Sequence, residues 1–247
     1  MPYTFLQCDT THDSHWIITL NRPDKRNALC DALVGELLDT IAQANHAAIP
    51  CLVFQGEGKN FSAGFDFSDL ESVSAAGLLW RLVRVQQLLT AIEHYPGLTI
   101  GIAHGRNFGA GCDLFAACAQ RIATQTATFR MPGVLFGLIL GTRRLGDLIG
   151  NSAAKQLQMT VQTLPATQAQ ALNFVSEIIA DDRAVTHTLI KERWLGQTAA
   201  LAPSTRQDLQ QALTSPTSHE DMGRLVTSIM RTDLKTRIQQ FLQQARQ

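Results

Sequence analysis

With 247 residues, 45% of them hydrophobic and 17% charged, the chain can bury a sizeable core and has the composition of a soluble globular protein. Its 21 basic and 21 acidic side chains cancel, and a pI near 7.0 supplies no broad attraction for nucleic acid or an anionic membrane. Any anionic ligand must be held by a local cluster of cations. The five cysteines, Cys8, Cys30, Cys51, Cys112 and Cys118, form an odd set without a CxxC pair or matching histidine spacing, which argues against a disulfide framework and a metal site. Free thiols in a reducing cytoplasm are the expectation. The N-terminus lacks a basic start followed by a long apolar stretch, and no later apolar run approaches about 18 residues, so neither secretion nor a membrane span is expected.

In chain order, His15 to Leu20 reads as a strand, ended by the turn-forming Asn21-Arg22-Pro23-Asp24-Lys25-Arg26. Asn27 suits a helix cap, and Leu29, Leu33, Leu37, Leu38 and Ile41 recur at helical spacing, predicting an amphipathic helix from Ala28 to about Asn45. Cys51 to Phe54 is the next strand. A long helix is predicted from about Ala75 to His94, stopped by Tyr95-Pro96-Gly97, and Leu98 to Ala103 is again a strand. A helix should start at Ala110 and run to Ala117. Because the order strand, glycine loop, helix occurs twice, a mostly parallel sheet with helical crossovers is the economical topology.

Arg121 to Ala123 and Thr128 to Arg130 read as short edge strands, Arg143 to Ile149 and Ser152 to Met159 as helices, and Val175 to Ile179 as a last strand. Beyond Asp181 and Asp182, which suit a helix N-terminus, the chain reads as helical, broken at Pro203 and around Pro216. An apolar stripe at Leu225, Ile229, Leu234, Ile238 and Leu242 must cover either the chain's own core or a neighbouring subunit.

Two glycine-bearing turns carry the chemistry: Phe61-Ser62-Ala63-Gly64-Phe65-Asp66, and Gly105 to Asp113 with its Phe108-Gly109-Ala110-Gly111-Cys112-Asp113 core. Glycine opens backbone angles closed to other residues and lets a ligand come close, so two such turns brought together can aim two N–H groups at one oxygen. That is the construction of an oxyanion hole.

These turns, preceded by Ile18-Thr19-Leu20-Asn21-Arg22-Pro23-Asp24-Lys25-Arg26-Asn27-Ala28-Leu29 and followed by Thr128-Phe129-Arg130-Met131-Pro132, Gly137 and Arg144-Leu145, strongly resemble the crotonase, or enoyl-CoA hydratase/isomerase, superfamily. The likeness covers roughly residues 4 to 180. It implies an α/β spiral of ββα units over residues 1–190 carrying the acyl-CoA site, with a helical C-terminal region over 191–247 at subunit contacts. Also implied are homotrimers or dimers of trimers, and an acyl-CoA substrate whose coenzyme A is no separate, tightly bound cofactor. The matching oxyanion donors are the amides of Phe65 and Ala110. Arg22, Lys25, Arg26 and Ala28, with the backbone of Ala63, Gly64 and Asp66, match the segments along coenzyme A.

The family's hydratases use two glutamates, and here Asp113 and Gly133 stand in those slots. Aspartate sets its carboxylate about 1.5 Å farther back, and a misplacement near 1 Å can cost roughly a hundredfold in rate. Glycine carries no proton, so two-carboxylate hydration cannot run in its usual form. The neighbouring loop, Gly137 to Leu145, is shorter and more apolar than the family's glycine-rich stretch, which should dry the acyl end of the pocket and raise the Asp113 pKa. Asp66 is expected to fix its own turn, His104 to be structural, and Arg130, Arg143 and Arg144 to serve in ion pairs or at the surface rather than on a substrate carboxylate. Three readings stay open: a hydratase- or isomerase-like enzyme, a decarboxylase forming the enolate by loss of carbon dioxide, and a non-catalytic acyl-CoA-binding homologue.

Overall fold

The computed structural model describes residues 3–181, 190–195, 200–231 and 233–244. Six strands form one sheet in the order β1-β2-β3-β4-β6-β9, where β1 is Leu6–His12, β2 His15–Leu20, β3 Cys51–Gly56, β4 Leu98–Ala103, β6 Gln120–Thr124 and β9 Glu177–Ile179. Only the β1 and β2 pair is antiparallel; every other neighbour is parallel. A second sheet joins β5 (Arg106–Phe108), β7 (Thr128–Arg130) and β8 (Leu164–Pro165). The chain therefore alternates between the sheets, placing β4 then β5 before α3 (Ala110–Ala117), and β6 then β7 before α4 (Thr142–Ile149) and α5 (Asn151–Thr160), with α6 (Ala166–Ala171) following β8. Each such ββα unit delivers a β-to-helix turn to the same end of the molecule.

Both faces of the large sheet are buried at β3, which is why Cys51-Leu52-Val53-Phe54 is apolar without alternation. Cys51 and Val53 join Ile100, Ile102, Ile122 and Ile179 on one face. Leu52 and Phe54, pointing the other way at the strand period of two, enter the main core beneath α1 (Asp31–His46) and α2 (Ala75–Glu93). Helix α2 buries Leu78, Leu82, Val85, Leu88, Leu89 and Ile92, and the Ser74 side chain caps it by accepting the Gly77 N–H at 3.0 Å.

Helix α1 starts at Asp31, not Ala28, and Asn27 does not cap it. Its backbone is left-handed (φ 54°), and its fully buried amide donates to the Glu57 and Asn60 carbonyls at 2.8 and 2.9 Å. Neither β6 nor β7 is an edge strand: β6 lies between β4 and β9, and β7 between β5 and β8. Their polar flanks imitate edges, but partners distant in sequence cover both sides. Strands β1, β5 and β8 escape the sequence reading because β1 is largely exposed and polar while β5 and β8 are only three and two residues long.

In the C-terminal region, α7 (Pro203–Leu213) begins on the predicted proline, and α8 (Asp221–Met230) and α9 (Leu234–Gln244) follow. The expected helix start at Asp182 lies outside the described residues. Leu225, Ile229, Leu234 and Ile238 are buried in the chain's own main core, with α8 against α2 and α9 against the 3-10 turn Pro132–Phe136. Cys51, Cys112 and Cys118 are buried free thiols, while Cys8 and Cys30 are partly buried. No helix of the described residues is long and apolar enough to cross a membrane.

Candidate active site

Each glycine turn is locked in place by its neighbour. Ser62 accepts the Gly64 N–H on its hydroxyl (3.2 Å) and donates that hydroxyl to the Asn27 carbonyl at 2.8 Å. Gly64 takes φ +87°, and a Cβ there would lie 2.3 Å from the Phe108 carbonyl oxygen, so only glycine lets the two turns close on each other. The Leu29 N–H donates to Gly64 O (2.7 Å) and the Asp66 N–H to Leu29 O (3.2 Å). Residues alternate edges in an extended chain, so this pairing turns the Phe65 N–H away from Leu29. Ala110 opens α3, where a first-turn N–H has no intrahelical acceptor and Gly109 brings no side-chain cap. Among the described residues, no acceptor takes either the Phe65 or the Ala110 N–H.

Successive hydrogen bonds set five backbone segments side by side. Arg26 O accepts from Ala63 N (2.9 Å), Ser62 O from Phe108 N (3.2 Å), and Arg130 O from Gly109 N (2.8 Å), while the Arg130 Nε donates to Val161 O at 3.0 Å. The row thus runs from 26–29 through 62–65, 108–110 and 130 to 161. Phe65 and Ala110 stand at its middle. Both line a cavity of about 760 Å³, with Lys25, Arg26 and Ala28 on one flank and Arg130, Gly133 and Gln158 on the other. Ala63 and Asp66 line it too, whereas Gly64 serves the turn behind it.

Asp113 sits one turn into α3 and borders this cavity with its carboxyl almost entirely buried. Burial pushes its pKa up to about 8, against a smaller opposing pull from the Arg144 charge. The side chain is pressed against Gly141, where a Cβ would fall 2.0 Å from Asp113 Oδ1 and φ is +66°. Gly141→Ala should therefore destabilise the fold by on the order of 1–3 kcal/mol and displace the carboxyl. Denaturant titration reads the loss, and an unchanged midpoint refutes the contact. Position 133 is different, since a Cβ there would meet only Leu138 at 3.7 Å. Space does not demand that glycine.

The arginines divide by partner. Arg22 donates to Asp66 at 2.5 Å and to the Ala28 carbonyl at 3.1 Å, and Ser68 N–H donates to the other Asp66 oxygen at 2.9 Å. Burial raises the Asp66 pKa, but these hydrogen bonds and the Arg22 charge outweigh it and hold the carboxyl below its ordinary value. Asp66 thus fixes its turn as the sequence suggests. Arg143 bonds Glu93 (2.5 Å), Asp147 (2.5 Å) and Asp221 (2.9 Å), and Arg144 bonds Glu93 at 2.7 Å, pinning α4 to α2 and α8 behind the cavity. Arg130, by contrast, faces no carboxylate among the described residues.

An aromatic wall completes the cavity. Phe65 and Phe67 rings lie 5.1 Å apart, Phe67 and Phe136 6.1 Å, and Phe136 and Phe241 5.1 Å, carrying the wall from the first turn to α9. Phe241 and Leu242 line the cavity, a contribution from the C-terminal helix that the sequence marks only as the end of an apolar stripe. His104 is bonded at Nε2 to the Gly58 carbonyl (3.0 Å), and Asp69 pairs with Arg81 at 2.5 Å. Among the described residues no group of His, Cys, Asp and Glu could hold a metal ion.

A family model for enoyl-CoA hydratase/isomerase matches residues 10–244. The chain is 33% identical over 185 residues to enoyl-CoA hydratase domain-containing protein 2 of Bos taurus, covering 73% of this chain and 62% of that relative's length. It is 30% identical over 201 residues to the 2,3-dehydroadipyl-CoA hydratase of Escherichia coli, covering 80% and 77% respectively. A crystal structure from Bordetella parapertussis, whose proposed identity is an enoyl-CoA hydratase/isomerase, superposes with a TM-score of 0.92 at 42% identity over 96% of this chain and 98% of that one. Alternating sheets, interlocked glycine turns and these matches together place the chain in the enoyl-CoA hydratase/isomerase family, with the crotonase fold.

Proposed function

We propose that the chain acts on an acyl-CoA thioester through an enolate held by the Phe65 and Ala110 amides, with Asp113 moving the proton. The observation carrying this reading is the pair of unoccupied N–H groups bordering one cavity with a buried carboxyl one helical turn away. In the reaction, the thioester's α C–H bond breaks, its proton passes to the Asp113 carboxylate, and the electron pair moves onto the carbonyl oxygen. Return of that proton to another carbon of the conjugated system completes an isomerisation. Water addition by two acids lacks its second member at Gly133. Lys25 and Arg26, on the cavity flank, are assigned to the coenzyme A phosphates, beside the backbone of Ala28 and Ala63. Arg22 acts there through Asp66, whose turn it holds. Coenzyme A enters only as part of the substrate.

A second reading, decarboxylation, draws support from the high Asp113 pKa, because a protonated carboxyl can quench an enolate formed by loss of carbon dioxide. Assembly as a homotrimer or dimer of trimers is what the family resemblance implies. Turnover by the full chain on panels of 2-enoyl-CoA, 3-enoyl-CoA and malonyl-type thioesters separates the readings. Double-bond migration in a 3-enoyl-CoA is the expected result. Carbon dioxide release from a malonyl-type thioester assigns the second reading, and tight binding without any turnover removes both.

A further inference from the structure

We infer that the cavity flank beyond the oxyanion turns recognises a carboxylate at the far end of the acyl chain, through the Arg130 guanidinium. This rests on the acyl-CoA reading above and names the substrate class within it, a thioester of a short dicarboxylic acid. Position carries the first part of the argument. In the row of backbone segments, Lys25 and Arg26 stand on one side of Phe65 and Ala110, and Arg130 stands on the other. A thioester whose carbonyl sits between those amides and whose phosphates meet Lys25 and Arg26 must send its acyl group toward Arg130.

Charge carries the second part. Arg22, Arg81, Arg143 and Arg144 each have a carboxylate within 3 Å, but among the described residues Arg130 spends only its Nε, on the Val161 carbonyl. Its two terminal nitrogens are left as a fork matched to a carboxylate, against cavity walls that include apolar Val134 and Leu140. Burial of Asp113, which keeps its carboxyl protonated at neutral pH, removes the repulsion that a second substrate carboxylate would otherwise meet. One strand spacing, about 5 Å, separates the Arg130 backbone from the Ala110 turn, and the side chain reaches onward, so an acyl chain of about four to six carbons spans the gap.

Calorimetric titration of the full chain with hexenoyl-CoA and with its carboxylate-terminated counterpart, hexenedioyl-CoA, tests this without any variant. The diacid thioester should bind about tenfold or more tightly. In Arg130→Met the ratio of the two affinities should fall to near unity, and Arg130→Lys, which keeps a charge but loses the fork, should fall between. Equal binding of both thioesters by the unaltered chain overturns the inference. So does an Arg130→Met variant that weakens free coenzyme A and both thioesters alike, since the guanidinium would then be meeting phosphate. Tighter binding of malonyl-CoA than of hexenedioyl-CoA overturns the placement at the far end. Binding of no thioester at all instead removes the acyl-CoA reading, and this inference with it.

Discussion

Asp113→Asn should lower kcat/KM by about 10²- to 10⁴-fold on any thioester the chain turns over, the usual worth of a positioned acid or base. Asparagine matches aspartate in size, so packing against Gly141 survives while proton transfer does not. The pH profile of the unaltered enzyme carries the sign. Asp113 is protonated below about 8 and must be ionised to remove an α-proton, so kcat/KM should rise with pH through that value and level off above it. A limb that falls above about 8 would instead make the protonated carboxyl the active form and assign decarboxylation. An Asp113→Asn enzyme that retains full activity, or whose limb is unmoved, removes the residue from the chemistry.

The same burial makes a stability statement. Because the folded pKa lies above the ordinary value of 3.8, the folded state holds its proton between about 4 and about 8 while the unfolded chain releases it. This group's contribution is therefore fully favourable at the acid end and declines as pH rises across that window. Asp66 has the opposite sign. Its carboxyl is held below the ordinary value, so its contribution is present at neutral pH and lost as acid protonates it.

Ala110→Pro should cut kcat by about 10²- to 10³-fold, the measured worth of one oxyanion donor in comparable sites. Proline is well suited to the first position of a helix, where its missing N–H breaks no intrahelical bond. The thermal midpoint should accordingly hold, as monitored by circular dichroism. Charge develops on the carbonyl oxygen only as the enolate forms, so the loss belongs in kcat more than in KM. Exchange of the substrate's α-proton with deuterated water reads this step directly. A proline variant that folds and exchanges at the original rate eliminates the Ala110 amide as a donor.

Local chemistry made much of the scaffold readable in the chain itself. The unbroken apolar run Cys51 to Phe54, the stripe from Leu78 to Ile92 and the stop at Tyr95-Pro96-Gly97 each encode their element within a short window, because period and turn residues act over neighbouring positions. The paired glycine turns were visible in the same way. Contacts between distant segments were not. Asn27 reads as a helix cap until Glu57 and Asn60 claim its amide, and β6 reads as an edge until β9 pairs with it.

The sequence by itself determined the family, the strand–turn–helix grammar and the residues of both turns, since these depend on backbone preferences written locally. Tertiary structure alone decided that Phe65 and Ala110 border one cavity, that Gly141 bears on Asp113, that Phe241 closes the wall, and that Arg130 rather than Arg143 or Arg144 lines the cavity. Charge pairing and close approach are set by which segments meet in space, and no spacing along the chain records that meeting.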